Sequence, residues 1–356
     1  MTVTDIAALR LQHQQLIKTS IRKPEDIVSF FGAMQAQEYG NSKWGIGVRL
    51  PGSKDSDIEK ALASKAIIRT TAFRGTLHLI AAADVRWVIQ IIAPAVKTRM
   101  GSLLRKLEMN DAFLQNTNQL ITKALAGGNY QTRKDLTTLL QSKGVNTDDH
   151  RMDHIIYHAA VDGLICNGPW QGKQPTFALL DEWLPGKVAF TRDQSLVILA
   201  QRFFISHGPA TVPDFAQWAG ITLTDAKAGL EGTKATLKSL VLNDVTYWMG
   251  PQKKQPTPDT ALLLPAFDEY FIGYKDRSTL IDMAFSKKVI TPNGIFSPIL
   301  VRNGQVIGTW KRTIKKDSVT IAVDLFKPLK KADLKAFEPA ALQYAEFMEL
   351  SFNGFS

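Results

Sequence analysis

Apolar residues recur along this chain at helical spacing, in blocks that themselves repeat. Three times, three amphipathic stretches are followed by two short β-branched stretches with a turn between them. In the first copy "TDIAALRLQHQQLI" predicts a helix with Thr4 as N-cap. "KPEDIVSFFGAMQ" predicts a second, opened by Pro24 and two acids, and "SDIEKALAS" a third. "AIIRTTAF", Arg74-Gly75 and "TLHLIAA" predict a hairpin. A long connecting helix with a kink at Pro94 follows.

The second copy runs through "NDAFLQNTNQLITKALAGG", "TRKDLTTLLQSKG" and "TDDHRMDHIIYHAAVDG" to strands in "LICNGPWQGKQPTFALL". Gly127, Gly144 and Gly163 sit where helix-ending glycines belong. The third runs through "RDQSLVILAQRFFISHG", "TVPDFAQWAG" and "TLTDAKAGLEG" to "LKSLVLNDVTYWMG". "KKQPTPDT" reads as a linker. Beyond it "ALLLPAFDEYFIGY", "GIFSPILVRNGQVIGTWKR" and "SVTIAVDLF" alternate apolar and polar around an Asn303-Gly304 turn, and "KKADLKAFEPAALQYAEFMEL" predicts a closing helix. Three helices and a wing form the winged-helix variant of helix-turn-helix. The expected fold is mainly α with β: winged-helix modules over 1–109 (with the connector), 110–186 and 187–252, then a small β-barrel or sheet over 253–356.

Charge points these modules towards a polyanion. The 356 residues carry a net charge of +10. Residues 1–109 hold 16 Lys/Arg against 9 Asp/Glu and residues 253–334 hold 14 against 8, whereas 110–252 are balanced at 12 against 13. If the two basic ends meet in space they make one basic surface, suited to duplex DNA. Winged helices also serve as protein-interaction modules, which remains the competing use. The single cysteine, Cys166, permits no intrachain disulfide, and neither a signal sequence nor a spanning stretch is apparent. A cytoplasmic, monomeric protein without membrane contact is expected.

Candidate chemistry is sparse. His150, His154 and His158 recur every four residues, as zinc ligands on a helix can, but lack an evident third ligand, so packing or capping is the better account. "GPWQGKQ" (168–174) departs from the phosphate-loop spacing, and "LPGK" (184–187) reads as a turn. Asp268 and Glu269, adjacent in an expected strand, would point to opposite faces, and Glu38 would point away from the glutamines before it. No acid/base pair is legible.

What remains is "MQAQ", where Gln35 and Gln37 would share one side of an extended chain just past a helix. A polar helix terminus would explain it. However, "GAMQAQ", "RGTLHLI", "HGPATVPDFAQWAG", "LLPAFDEYFIGYKDR" and "NGIFSPILVRNGQVIGTWKR" together resemble the AlkZ-type winged-helix DNA glycosylases, in order and over nearly the whole chain. The resemblance implies a bacterial repair enzyme that excises alkylated bases, some members unhooking interstrand crosslinks. It implies no cofactor, metal or obligate protein partner. Its catalytic motif is Gln–apolar–Gln or Gln–apolar–Asp, so Gln35 and Gln37 match the first form. A non-catalytic winged-helix DNA-binding regulator is the alternative.

Two amides suit one kind of substrate. An aspartate about 4 Å from an oxocarbenium-like centre contributes roughly 4 kcal/mol at an effective dielectric of 20, and a neutral hydrogen bond about 1 kcal/mol. N7- or N3-alkylated purines are already cationic and depart neutral, so orienting a water at C1′ can suffice. The motif offers no amine for a lyase step, Lys43 being the nearest lysine in sequence. Phosphate contacts are assigned to Arg69, Arg74, Arg277, Arg302, Lys311 and Arg312, and His78 or Phe73 of the first hairpin is a candidate to fill the gap left by a flipped base.

Overall fold

The computed structural model describes residues 2–251, 259–328 and 334–356. The linker read in "KKQPTPDT" and the start of the closing helix fall largely outside them. The result is a mixed α/β fold in which one layout recurs three times. Helices Pro24–Phe31, Tyr39–Gly47 and Asp55–Ala63 precede strands β2 (Ile67–Thr71) and β3 (Leu77–Ala81). Helices Asp111–Leu125, Arg133–Ser142 and Arg151–Val161 precede β5 (Ile165–Gln171) and β6 (Gln174–Leu179). Helices Arg192–His207, Val212–Ala219 and Leu223–Thr233 precede β7 (Lys238–Leu242) and β8 (Val245–Met249).

Each unit also holds a piece that periodicity cannot reveal. A short segment between its first two helices pairs with the returning hairpin strand: β1 (Met34–Gln35) with β3, β4 (Gln131–Thr132) with β6, and Ala210 with Trp248. Two residues are too few for an alternating pattern, so the strand exists only because a partner strand completes its hydrogen bonds.

The first unit is therefore corrected in three places. Helix Val3–His13 is an addition to the unit, capped by Thr2 rather than Thr4, with Asp5 completing the capping box. The helix expected to reach Gln35 stops at Phe31, because Gly32 takes φ +84°. Tyr39–Gly47, where the apolar pattern predicts no element, is a helix. Its glycines weaken it locally, and tertiary contacts restore it. Trp44 is buried and its indole N–H donates to the Leu263 carbonyl at 2.8 Å. A Cβ at Gly47 would lie 2.4 Å from the Phe347 ring, so the glycine admits that close approach.

The C-terminal part is a five-stranded sheet in the order β13-β12-β11-β10-β9 (Ser351–Phe355, Ser318–Leu325, Gln305–Lys315, Ile299–Arg302, Ala261–Leu264). The Asn303-Gly304 turn joins β10 to β11 as expected, both residues at positive φ. Two expectations fail here. Asp268 and Glu269 are not in a strand: Asp268 caps the short helix Glu269–Ile272. The chain closes on β13, parallel to β12, after the helix Glu338–Phe347.

One continuous core links the first and third units to the C-terminal sheet, while residues 109–179 enclose a second core of their own. The two basic ends do meet. Arg49, fully buried, directs all five of its N–H donors to protein acceptors: both Asp268 oxygens at 2.8 Å, the Gly45 carbonyl at 2.8 Å, and the Gln14 backbone and side-chain oxygens at 3.0 and 2.8 Å.

Candidate active site at a strand-to-helix junction

The place of the two glutamines is defined by what the other units do at the same point. In the second unit Thr132 ends the short strand and directly caps the next helix, exchanging hydrogen bonds with Asp135. In the third, Thr211 does the same with Asp214. Both follow the Thr-x-x-Asp capping rule. The first unit breaks it. Between β1 and helix Tyr39–Gly47 lie Ala36, Gln37 and Glu38, and the Glu38 side chain makes no capping bond. The local rule is given up where Gln35-Ala36-Gln37 sits, as is expected at a functional site.

The motif's backbone is pinned from four directions. The Gln35 N–H donates to Glu269 Oε1 at 2.8 Å. The Ala36 N–H donates to the Leu77 carbonyl at 2.7 Å. The Ala36 carbonyl accepts from Arg69 Nη2 at 3.0 Å. The Gln37 N–H donates to Gln35 Oε1 at 2.9 Å, tying the two glutamines to each other. Glu269 is buried, and burial alone would push its carboxyl up, but hydrogen bonds from His207, Gln35 and Trp218 hold it below its ordinary value. The Trp218 indole donates to Oε2 at 2.8 Å and His207 Nε2 stands 3.3 Å away. An ionised carboxylate therefore lies directly behind the motif. Sequence reasoning weighed Glu269 only as half of an acid pair.

Beyond this point the two side chains line adjacent cavities. Gln35, buried, lines a cavity of about 220 Å³ with Arg74, Thr76, Gln217, Phe267 and Arg277. Gln37, exposed, lines a neighbouring cavity of about 300 Å³ with Arg69, Gly75, Tyr157 and Asn167. The β2–β3 hairpin tip contributes to both cavities. A Cβ at Gly75, whose φ is +80°, would overlap the Tyr157 hydroxyl, so only glycine lets the tip seat there.

Arg69, Arg74 and Arg277 thus come together at the motif, each also holding a backbone carbonyl. Arg69 is buried and holds the Ala36 carbonyl. Arg74 donates to the Trp218 carbonyl, and Arg277 Nε to the Phe271 carbonyl at 2.8 Å. Burial lowers the pKa of all three guanidiniums. Arg302 is elsewhere, paired with Asp259 at 2.6 Å, while Lys311 is exposed on β11 and Arg312 reaches Asn41 at 3.5 Å. Arg99 was missed. It is exposed on the long helix Val85–Lys106, and its charge acts on both Arg74 and Tyr157. Its helix read only as a connector, so no local signal marked it.

His78 and Phe73 do not project from the hairpin. Both are wholly buried, Phe73 packing on Trp218 and His78 at ring distances of 4.6 and 5.3 Å. Burial, then the Arg74 charge, pushes the His78 imidazole down to about 4. Its ordinary value is 6.5, so the unfolded chain takes up the proton first as pH falls. Stability from neutral His78 is complete above pH 6.5 and is lost as pH falls through 4, amounting to about 3 kcal/mol. Urea unfolding at pH 7 and pH 4 should show this drop, and His78→Phe should lessen it. Parallel losses in both proteins would show that His78 does not carry it.

The histidines of the row have local surroundings. His150 precedes its helix at φ +64°, His158 pairs with Asp162 at 3.1 Å, and among the described residues no group of three or more His, Cys, Asp or Glu is placed to hold a metal ion. No described helix is long and apolar enough to cross a membrane. Cys166 is buried, which pushes its thiol up to about 12.

A pinned pair of amides beside arginine-lined cavities, on repeated helix-and-hairpin units, is the makings of an enzyme that works on DNA. The family model described as "DNA glycosylase AlkZ-like" matches residues 28–347, and the chain belongs to that family of DNA repair glycosylases, hydrolases of N-glycosyl bonds. It is 23% identical over 363 residues to a Streptomyces sahachiroi protein named "Interstrand DNA cross-link repair glycosylase", covering 96% of this chain and 95% of the relative. The solved structure of Streptomyces sahachiroi DNA glycosylase AlkZ has the same fold, with a TM-score of 0.83 at 20% identity over 99% of each chain.

Proposed function

We propose that this glycosylase excises purines made cationic by alkylation at N7 or N3, with Gln35 and Gln37 holding the attacking water. The observation that supports this most is the pinned backbone of Gln35-Ala36-Gln37, with Gln35 Oε1 already fixed by the Gln37 N–H. An acceptor immobilised before substrate arrives loses little entropy on ordering a water. The water oxygen bonds to C1′ as the C1′–N9 bond breaks. The bonding pair neutralises the departing base, and the proton passes to solvent. The buried Glu269 carboxylate supplies a negative field behind the amides as charge develops on the sugar. A non-catalytic regulator would have no use for so constrained a junction.

The units over 1–109, 110–186 and 187–252 act as winged helices around duplex DNA, with 253–356 as the β-domain, in a cytoplasmic monomer needing neither metal nor cofactor. Crosslink unhooking, as in the name of the Streptomyces relative, is the same bond cleavage at a purine tethered to both strands, and the proposal extends to it. Duplex DNA bearing one N7-methylguanine should yield free base and an alkali-labile site. Intact DNA after incubation with stoichiometric protein would overturn the proposal.

No lyase step should accompany excision. Lys43 is the nearest lysine in sequence, and its ammonium is held 2.7 Å from Asp55 and 2.6 Å from Glu59, so this amine is engaged and not free for a Schiff base. Borohydride should trap no enzyme–DNA adduct; a trapped adduct would count against water as the nucleophile.

A further inference from the structure

Beside the Gln37 cavity, and sharing Arg69, Asn167 and Pro175 with it, lies a chamber of about 230 Å³. Three aromatic residues line it: Tyr39, Trp170 and Trp183. Tyr39 opens the helix two residues beyond Gln37, and Trp170 stands where the pairing of β5 with β6 is irregular. Their ring centroids are 4.6 Å apart, and Trp170 remains 40% exposed. Two cations stand against its aromatic residues: Lys65 Nζ lies 4.2 Å from the Trp183 ring centroid and the Arg69 guanidinium 5.5 Å from that of Tyr39. Among the described residues its one lining carboxylate, Glu59, is engaged on both oxygens, by Lys43 at 2.6 Å and the Tyr39 hydroxyl at 2.7 Å.

We propose that this chamber holds a second, unstacked nucleobase of the bound DNA, a neutral ring still attached to its phosphodiester chain, while the alkylated base occupies the site at the glutamines. Aromatic faces accept any base by stacking. Two cations against the aromatic residues, with the carboxylate already engaged, suit phosphates and disfavour a second cationic ring. Continuity with the Gln37 cavity places the chamber along the same DNA path. The proposal rests on the glycosylase's engagement of duplex DNA at the motif.

The test uses the full chain and a duplex carrying 2-aminopurine as a single-nucleotide bulge, against the same duplex fully matched. The wild-type protein should bind the bulged duplex more tightly and change the 2-aminopurine fluorescence. Trp170→Ala should weaken bulge binding by about 5- to 150-fold and abolish the change. Trp170→Phe should preserve both, and all three proteins should bind the matched duplex equally. Equal binding of bulged and matched DNA by wild type, or no effect of Trp170→Ala, would overturn the proposal while leaving the glycosylase site intact. Absence of matched-duplex binding at low salt would overturn both. Displacement of the bulged base by free dAMP at matched concentration would assign the chamber to mononucleotides instead.

Discussion

Gln35→Ala and Gln37→Ala are each expected to excise N7-methylguanine about 30- to 150-fold more slowly than wild type. Each loses roughly 2–3 kcal/mol of transition-state stabilisation by removing one amide from the water. DNA affinity should hardly change, since neither side chain carries charge to a phosphate. The double variant should lose less than the product of the singles. One reason is the shared water. The structure adds another, because Gln35 Oε1 accepts the Gln37 N–H, so Gln35→Ala also frees the segment bearing Gln37. Gln37→Asp should retain activity or shift it among lesions, since it adds a charge near the developing cation at an exposed position. Single-turnover excision at saturating protein measures all of these. Wild-type rates in both alanine variants would place the chemistry elsewhere.

Arg49→Leu should destabilise the protein by about 3–5 kcal/mol, the cost of leaving a buried charge without its partner. Asp268 would keep its carboxylate inside the fold while losing both 2.8 Å bonds, and the Gln14 and Gly45 oxygens would lose their donors too. Arg49→Lys should recover only part of this, because an ammonium cannot fill five acceptor positions in a plane. Urea unfolding at neutral pH reads the loss directly, and a change below about 1 kcal/mol would show that the pair is dispensable. The effect should reach the active site through a short path. Asp268 adjoins Glu269, and Glu269 anchors the Gln35 N–H.

Much of the architecture was legible because its signals are local. Apolar spacing, helix-ending glycines at 127, 144 and 163, and the Asn303-Gly304 turn each lie within a few residues of what they specify. The same locality explains the failures. Helix Tyr39–Gly47 contains three glycines of its nine residues and forms through Trp44 and Phe347, which its own stretch of sequence cannot announce. Asp268-Glu269 looked like strand because the residues around it are apolar, yet its carboxylates are drawn to Arg49 and to the motif.

The amino-acid sequence by itself determined three helix-and-hairpin units and a basic character at the two ends of the chain, and its resemblance to a family singled out the glutamine pair. Periodicity, turn chemistry and composition need no knowledge of distant residues. The tertiary structure decided how the pair is held. The carboxylate anchoring Gln35 comes from 234 positions away, the guanidinium on Ala36 from 33, and the arginines of the adjoining cavity from the hairpin and the C-terminal region. It also turned Arg69, Arg74 and His78 inward, because buried backbone carbonyls and a closed core needed them there. Such pairings depend on which surfaces meet when the chain ends pack together, and no local pattern encodes that meeting.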